Sequence, residues 1–224
     1  MKMQPRNSIA DQAYNLIMER IQSGEIASGE RLIETQVANY LQTSRTPLRE
    51  AFRRLEQDGI VERVPQGGVQ VTPVTLATVR EIFGIRVRLE PYAVELACDA
   101  ITDEDIHQLK TARNQAMDLI DTESLSREQK IWRLFDLNTQ FHDVIYHATG
   151  SRHLYKLINN LRYMVLRMRA VGLREESAWR KSWDEHTQLI HHLERRDKEA
   201  ASKLMTRHIE AAASHAASHV KQEE

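Results

Sequence analysis

From about Leu76 to its last residues the chain carries almost no glycine or proline, and its apolar side chains return at three- and four-residue spacing. Strands would need a two-residue alternation broken often by turn residues, so this half reads as a bundle of amphipathic helices. Six helices are predicted, near residues 77–99, 103–121, 127–149, 151–171, 176–196 and 197–220. Thr102, Ser151 and Asp197 stand near helix starts, and Gly150 and Gly172 punctuate the run.

The residues before Leu76 follow another rule. Ala10, Tyr14, Ile17, Met18 and Ile21 recur on one helical face and Gly24 follows, which predicts a helix over 8–22. After the connection EIASGERL, Val37, Ala38 and Leu41 mark a short helix from Glu34 to Leu41, and Gln42-Thr43-Ser44 makes a turn. A third helix, RTPLREAFRRLEQDG, carries Pro47 in its first turn, where the missing N–H costs nothing, and Gly59 at its end. The β-branched runs Ile60–Val64 and Val69–Val74, separated by Pro65-Gln66-Gly67-Gly68, predict a two-stranded hairpin. Three helices and then a hairpin is the order of a winged helix-turn-helix. The expected fold is mainly α, with a winged helix-turn-helix over 1–75 and an all-helical domain over 76–224.

Composition narrows the class. At 224 residues and 41% hydrophobic the chain can bury a genuine core, and no stretch reaches the roughly 18 consecutive apolar residues of a membrane span. MKMQPRNSIADQ lacks the apolar centre of a signal peptide, so a cytoplasmic protein is expected. Cys98 is the only cysteine, which excludes a disulfide framework or a thiolate zinc cluster within one chain. A net charge of −1 means that any nucleic-acid surface must be local. All the histidines except His107 lie beyond residue 140, which raises the question of a metal.

On the third helix Leu48, Ala51, Phe52 and Leu55 share a face, while Arg45, Arg49 and Arg53 fall four residues apart on another. Such a cationic face on an isolated helix is ordinarily a solvated one. Here it starts at the N-terminal end of a helix that follows a tight turn, where a recognition helix presents side chains to the major groove. Gln66-Gly67-Gly68 serves equally as a hairpin turn and as a tip able to approach a sugar-phosphate backbone closely. The segment GERLIETQVANYLQTSRTPLREAFRRLEQDGIVERVPQGGVQV resembles the DNA-binding domain of the GntR family over residues 8–74, with Ser44-Arg45-Thr46-Pro47-Leu48-Arg49-Glu50-Ala51 close to its recognition-helix signature. The resemblance implies that Arg45 and Arg49 read bases, that Arg31 and Thr46 hold phosphates, and that Gln66, Gly67 and Gly68 touch the minor groove. Thr35 stands where some relatives carry a DNA-contacting arginine.

In the helical half, Asn138 and His142 share one helix face, and His186 and His208 lie on two later helices. Three imidazoles and an oxygen donor from three helices can converge inside a bundle, although ten histidines allow many such triples. NTQFHDVIYHATG, DEHTQLIHHLERRD and RHIEAA resemble the FCD ligand-binding domain of the FadR subfamily of GntR regulators, over residues 76–220. In that domain an Asp or Asn, a His four residues on and two later His bind a divalent metal; Asn138, His142, His186 and His208 match in order and spacing. The first ligand, aspartate in many relatives, is here a neutral amide that should weaken affinity. Asp143 cannot replace it, being rotated about 100° from His142 around the helix. Imidazole donors favour zinc or nickel.

Arg86, in IRVRLEPYAVELA, serves either as a clamp for an effector carboxylate or as a surface partner of Glu90 four residues on. Arg162 and Tyr163 are further effector-pocket candidates, whereas Trp132, Trp179 and Trp183 suit core or interface. The whole reads as a homodimeric repressor of operator DNA, released when a small organic acid binds near the metal. An architectural DNA-binding protein with an inert dimerisation domain and a metal-dependent enzyme are the rivals. No HExxH and no paired carboxylate general base supports the enzyme.

Overall fold

The computed structural model describes the backbone of residues 8–172 and 176–223, and the side chains there except Gln22, Glu128, residues 163–177, His219 and residues 221–223. The chain divides into two compact units, Met1–Thr75 with Arg162–Ala170, and Leu76–Leu161 with Val171–Glu224.

The first unit is built from α1 (Ile9–Gln22), β1 (Arg31–Leu32), α2 (Glu34–Tyr40), α3 (Arg45–Gln57), β2 (Val61–Arg63) and β3 (Val69–Val71). A capping box starts α1: the Asp11 amide donates to Ser8 Oγ at 3.1 Å and the Ser8 amide donates to Asp11 Oδ2 at 2.9 Å. Tyr14, Ile17 and Ile21 of α1 pack into one core with Leu48, Phe52 and Leu55 of α3. The Tyr14 hydroxyl donates to Asp58 Oδ2 at 2.7 Å and ties α1 to the end of α3. There Gly59 takes φ +68°, the left-handed turn that ends many helices.

The sheet departs from expectation in having three strands, in the order β1-β3-β2, all antiparallel. The extra strand comes from the connection after α1, where Arg31 and Leu32 pair with Gln70 and Val69. Two residues are too few to leave an alternation in the sequence. The third strand also stops at Val71, before Pro73, which has no N–H to give a ladder.

The remaining elements are α4 (Leu76–Ala100), α5 (Asp103–Asp121), α6 (Arg127–Ala148), α7 (Arg152–Gly172), α8 (Glu176–Glu194) and α9 (Lys198–Glu223); all belong to the second unit except the Arg162–Ala170 stretch of α7. Capping boxes start α5 (Thr102 with Asp105) and α6 (Ser126 with Gln129). α4 lies chiefly along α9, α5 packs on α6 and α8, and α8 packs on α9. Arg196, in the turn between α8 and α9 at φ +55°, donates to the carbonyls of Cys98 (2.7 Å), Asp99 (3.0 Å) and Ile101 (3.0 Å). It thereby satisfies acceptors that the end of α4 leaves without an intrahelical donor. Among the described residues no helix is long and apolar enough to cross a membrane.

Candidate functional site

The N-terminal turn of α3 presents Arg45, Thr46 and Arg49 to solvent, while Leu48, Ala51, Phe52 and Leu55 on its other side are at most 1% exposed. Thr35 is exposed in the first turn of α2. Two of the candidate DNA contacts are engaged inside the unit. Arg49 Nε donates to Glu34 Oε2 at 2.8 Å, so a carboxylate of α2 holds an arginine of α3. Arg31 donates from Nε (3.1 Å) and Nη2 (2.7 Å) to the Gly67 carbonyl, and from Nη2 to the Gln66 carbonyl. The predicted phosphate contact therefore buttresses the wing as well. Gly68 lies at φ +84°, and a Cβ there would sit 2.4 Å from the Leu32 carbonyl oxygen, so only glycine fits.

In the helical unit three elements bring His142 (α6), His186 (α8) and His208 (α9) together, each at most 6% exposed. One ring nitrogen from each lies within 4.8 Å of the others, an arrangement that can hold a metal ion. Asn138, 8% exposed, sits one turn before His142 on α6. Phe141 stacks on the His186 ring at 4.3 Å and Trp183 meets it edge-on at 4.6 Å, so apolar walls fix that imidazole.

Hydrogen bonds orient the other two rings. His208 Nδ1 lies 2.7 Å from Glu185 Oε2, and its buried Nε2 has no hydrogen-bond partner among the described residues. A ring that donates Nδ1–H to a carboxylate keeps its Nε2 lone pair for a metal. Burial pushes the Glu185 carboxyl up, but its hydrogen bond with His208, with the Lys181 and Arg207 charges nearby, outweighs burial and holds it below the ordinary range. The Tyr146 hydroxyl donates to Glu90 Oε2 at 2.5 Å and lies 3.1 Å from His142 Nδ1. Since the hydroxyl proton is committed to Glu90, its oxygen accepts from His142 Nδ1–H, which assigns the lone pair to Nε2.

Glu90 continues this chain. Its Oε1 accepts from Arg86 Nε at 2.5 Å, with Arg86 3% and Glu90 0% exposed. The Arg86–Glu90 pair is thus present, but inside the bundle rather than on a helix surface. Arg86 Nη1 is buried without a hydrogen-bond partner among the described residues, and the guanidinium lies over the Phe83 ring at 4.9 Å. Arg162 is half-buried on α7, and the side chain of Tyr163 lies outside the described residues. Trp179 and Trp183 are core, 3% exposed each, and Trp132 is half-buried. His107, His147, His153 and His191 are exposed, and His192 and His215 half-buried, so none of them joins the triad. Sequence reasoning missed Glu185, Tyr146 and Glu34, whose partners stand 23, 56 and 15 residues away in the chain.

A winged helix-turn-helix joined to a helical unit with a buried polar centre defines a DNA-binding transcriptional regulator. Residues 9–71 match the bacterial regulatory proteins of the gntR family, and residues 81–211 match the FCD domain. The chain belongs to the GntR family and carries an FCD domain. It is 30% identical to the uncharacterized HTH-type transcriptional regulator YdhC of Bacillus subtilis, over 94% of this chain and 90% of that one. It is 27% identical to the HTH-type transcriptional repressor RspR of Escherichia coli K12, over 93% and 89%. Among solved structures it is similar to E. coli McbR/YncC, with a TM-score of 0.81 and 22% identity over 97% of this chain and 99% of that one. The family and these relatives are transcriptional regulators, not enzymes.

Proposed function

We propose that the chain is a repressor that binds operator DNA as a homodimer through residues 1–75 and is released when a small carboxylate binds in the unit formed by residues 76–224. Arg45 and Arg49 read bases, Arg31 and Thr46 hold phosphates, the wing residues Gln66, Gly67 and Gly68 touch the minor groove, and Thr35 lies at the same interface. Paired winged units match the two half-sites of a palindromic operator.

The observation that carries the sensing half is a buried polar chain running from Arg86 through Glu90 and Tyr146 to His142. Asn138, His142, His186 and His208 would hold a divalent ion, zinc or nickel by the softness of imidazole. Bound there, the ion supplies a positive charge and a coordination position for an anionic oxygen. All four protein donors are neutral, so the residues that offset this charge lie one bond further out, at Glu185 and, through Tyr146, at Glu90. Arg86 Nη1, buried and without an acceptor among the described residues, supplies a charge-assisted donor that selects acids over alcohols or aldehydes of the same shape. The acid relieves repression only by binding the DNA-incompetent arrangement more tightly than the competent one.

A thermal-shift screen of organic acids with and without chelator, followed by mobility-shift titration of each hit against promoter DNA, tests this. Acids that stabilise only the metal-loaded protein and release DNA are expected. Neutral stabilising ligands, or acids acting equally on Arg86→Ala and His208→Ala, overturn it.

A further inference from the structure

One acidic side chain stands among the candidate base-reading groups, in contact with one of them. Glu34 opens α2, and its Oε2 accepts from Arg49 Nε at 2.8 Å across the α2–α3 junction. The Arg49 side chain remains 61% exposed and that of Glu34 is 21% exposed, so the carboxylate is the sheltered partner. Arg49 makes no other hydrogen bond among the described residues, and its Nη1 and Nη2 groups stay available.

Two consequences follow from elementary chemistry. Guanidinium can pair with guanine O6 and N7 side-on, through Nε and Nη2, or end-on, through Nη1 and Nη2. With Nε held by Glu34, only the end-on fork is left, and the long arginine chain is fixed at its inner nitrogen rather than free to sample phosphates. The second consequence is electrostatic. Sequence-independent affinity grows with the net positive charge placed against phosphates, each neutralised phosphate adding about 0.9 to the salt slope. An arginine already paired with a carboxylate adds donors to the interface but almost no net charge.

We propose that Glu34 is a specificity-determining positioning residue: it holds Arg49 by Nε for end-on reading of guanine and cancels the charge that would otherwise strengthen binding to any sequence. This rests on the assignment of Arg49 as a base reader. Glu50, the exposed carboxylate next to Arg49 in the chain, makes no hydrogen bond to it among the described residues, so Glu34 is the acid that holds Arg49.

The test uses the full chain and two probes: a duplex library with a randomised centre, selected and sequenced, and a mixed-sequence duplex lacking the selected motif, titrated by fluorescence anisotropy at several salt concentrations. The parent is expected to enrich a motif with guanine at one fixed position in each half-site. Glu34→Gln, which keeps the shape and removes the charge, is expected to lower the guanine preference there several-fold. It should also tighten binding to the mixed duplex several-fold and steepen its salt slope by about one. Arg49→Ala should abolish the preference. If Arg49→Ala does so while Glu34→Gln changes neither preference nor salt slope, the role of Glu34 is refuted and the recognition-helix reading stands. A motif unchanged in Arg49→Ala overturns both. Equal thermal melting of parent and Glu34→Gln ensures that the comparison is between folded proteins.

Discussion

Glu90→Ala removes the acceptor shared by Arg86 and Tyr146 and leaves a guanidinium, 3% exposed, without its counter-charge. Breaking a buried ion pair from one side costs about 3–5 kcal/mol, because the remaining charge keeps its desolvation penalty and loses its partner. The Tyr146 hydroxyl loses its acceptor in the same step, a cost already inside that range rather than added to it. For a unit of this size about 2–4 °C is lost per kcal/mol, so the midpoint should fall by on the order of 10 °C. The double variant Arg86→Met/Glu90→Leu fills the same space without charge and should return to within about 1 kcal/mol of the parent, or exceed it. Urea denaturation followed by tryptophan fluorescence reads the helical unit, since Trp132, Trp179 and Trp183 all lie there. A Glu90→Ala cost under about 1 kcal/mol, or a double variant as unstable as the single one, would refute the buried-charge reasoning.

Four further outcomes are expected. Gly68→Ala, whose Cβ would meet the Leu32 carbonyl at 2.4 Å, should displace the wing and weaken binding to every duplex while leaving metal affinity of the helical unit unchanged, checked by filter binding and calorimetry. Arg31→Ala should weaken all sequences alike and lower the salt slope by about one, as a phosphate-facing cation does. Asn138→Asp should tighten zinc binding in calorimetric titration, because a carboxylate is a better hard donor than an amide and offsets ion charge. The Asp11 carboxyl is held below its ordinary range, first by the Ser8 side chain and then by Arg54. Its stabilising contribution is therefore complete above the unfolded carboxylate range and lost as pH falls through the folded value, so Asp11→Asn should lessen the acid loss of stability seen in denaturation at successive pH values.

Periodicity and punctuation are local, and what depends on them was legible. Thr102 marks the start of α5 in the sequence, and in the structure its hydroxyl accepts from the Asp105 amide at 3.2 Å. Pro47 and Gly59 bracket α3 as their backbone preferences demand. The order and spacing of Asn138, His142, His186 and His208 were equally readable, and the three imidazoles do meet. What escaped is pairwise and long-range. Nothing in the sequence near Arg86 shows whether the face it shares with Glu90 points to water or to Tyr146, 56 residues beyond Glu90. That choice put the Arg86–Glu90 pair, one of the two roles open to Arg86, inside the bundle rather than on its surface. Likewise β1 has no hydrophobic signature of its own and exists because β3 offers an edge to Arg31 and Leu32.

The clasp of Arg196 on the end of α4 sets an order of events during synthesis. Until residue 196 has left the ribosome, the carbonyls of Cys98, Asp99 and Ile101 lack this donor, and α4 lacks α9, the helix it chiefly lies against. The core of the winged unit closes among Ala13–Val71, within the first third of the chain. Domains fold as units and generally N-terminal first as they emerge, so the nascent chain can close the hydrophobic core of its winged unit while Val94, Ala97 and Cys98 of α4 still await their cover. The helical half is thus the part whose burial waits longest, because α4 finds its main packing partner only at the far end of the chain.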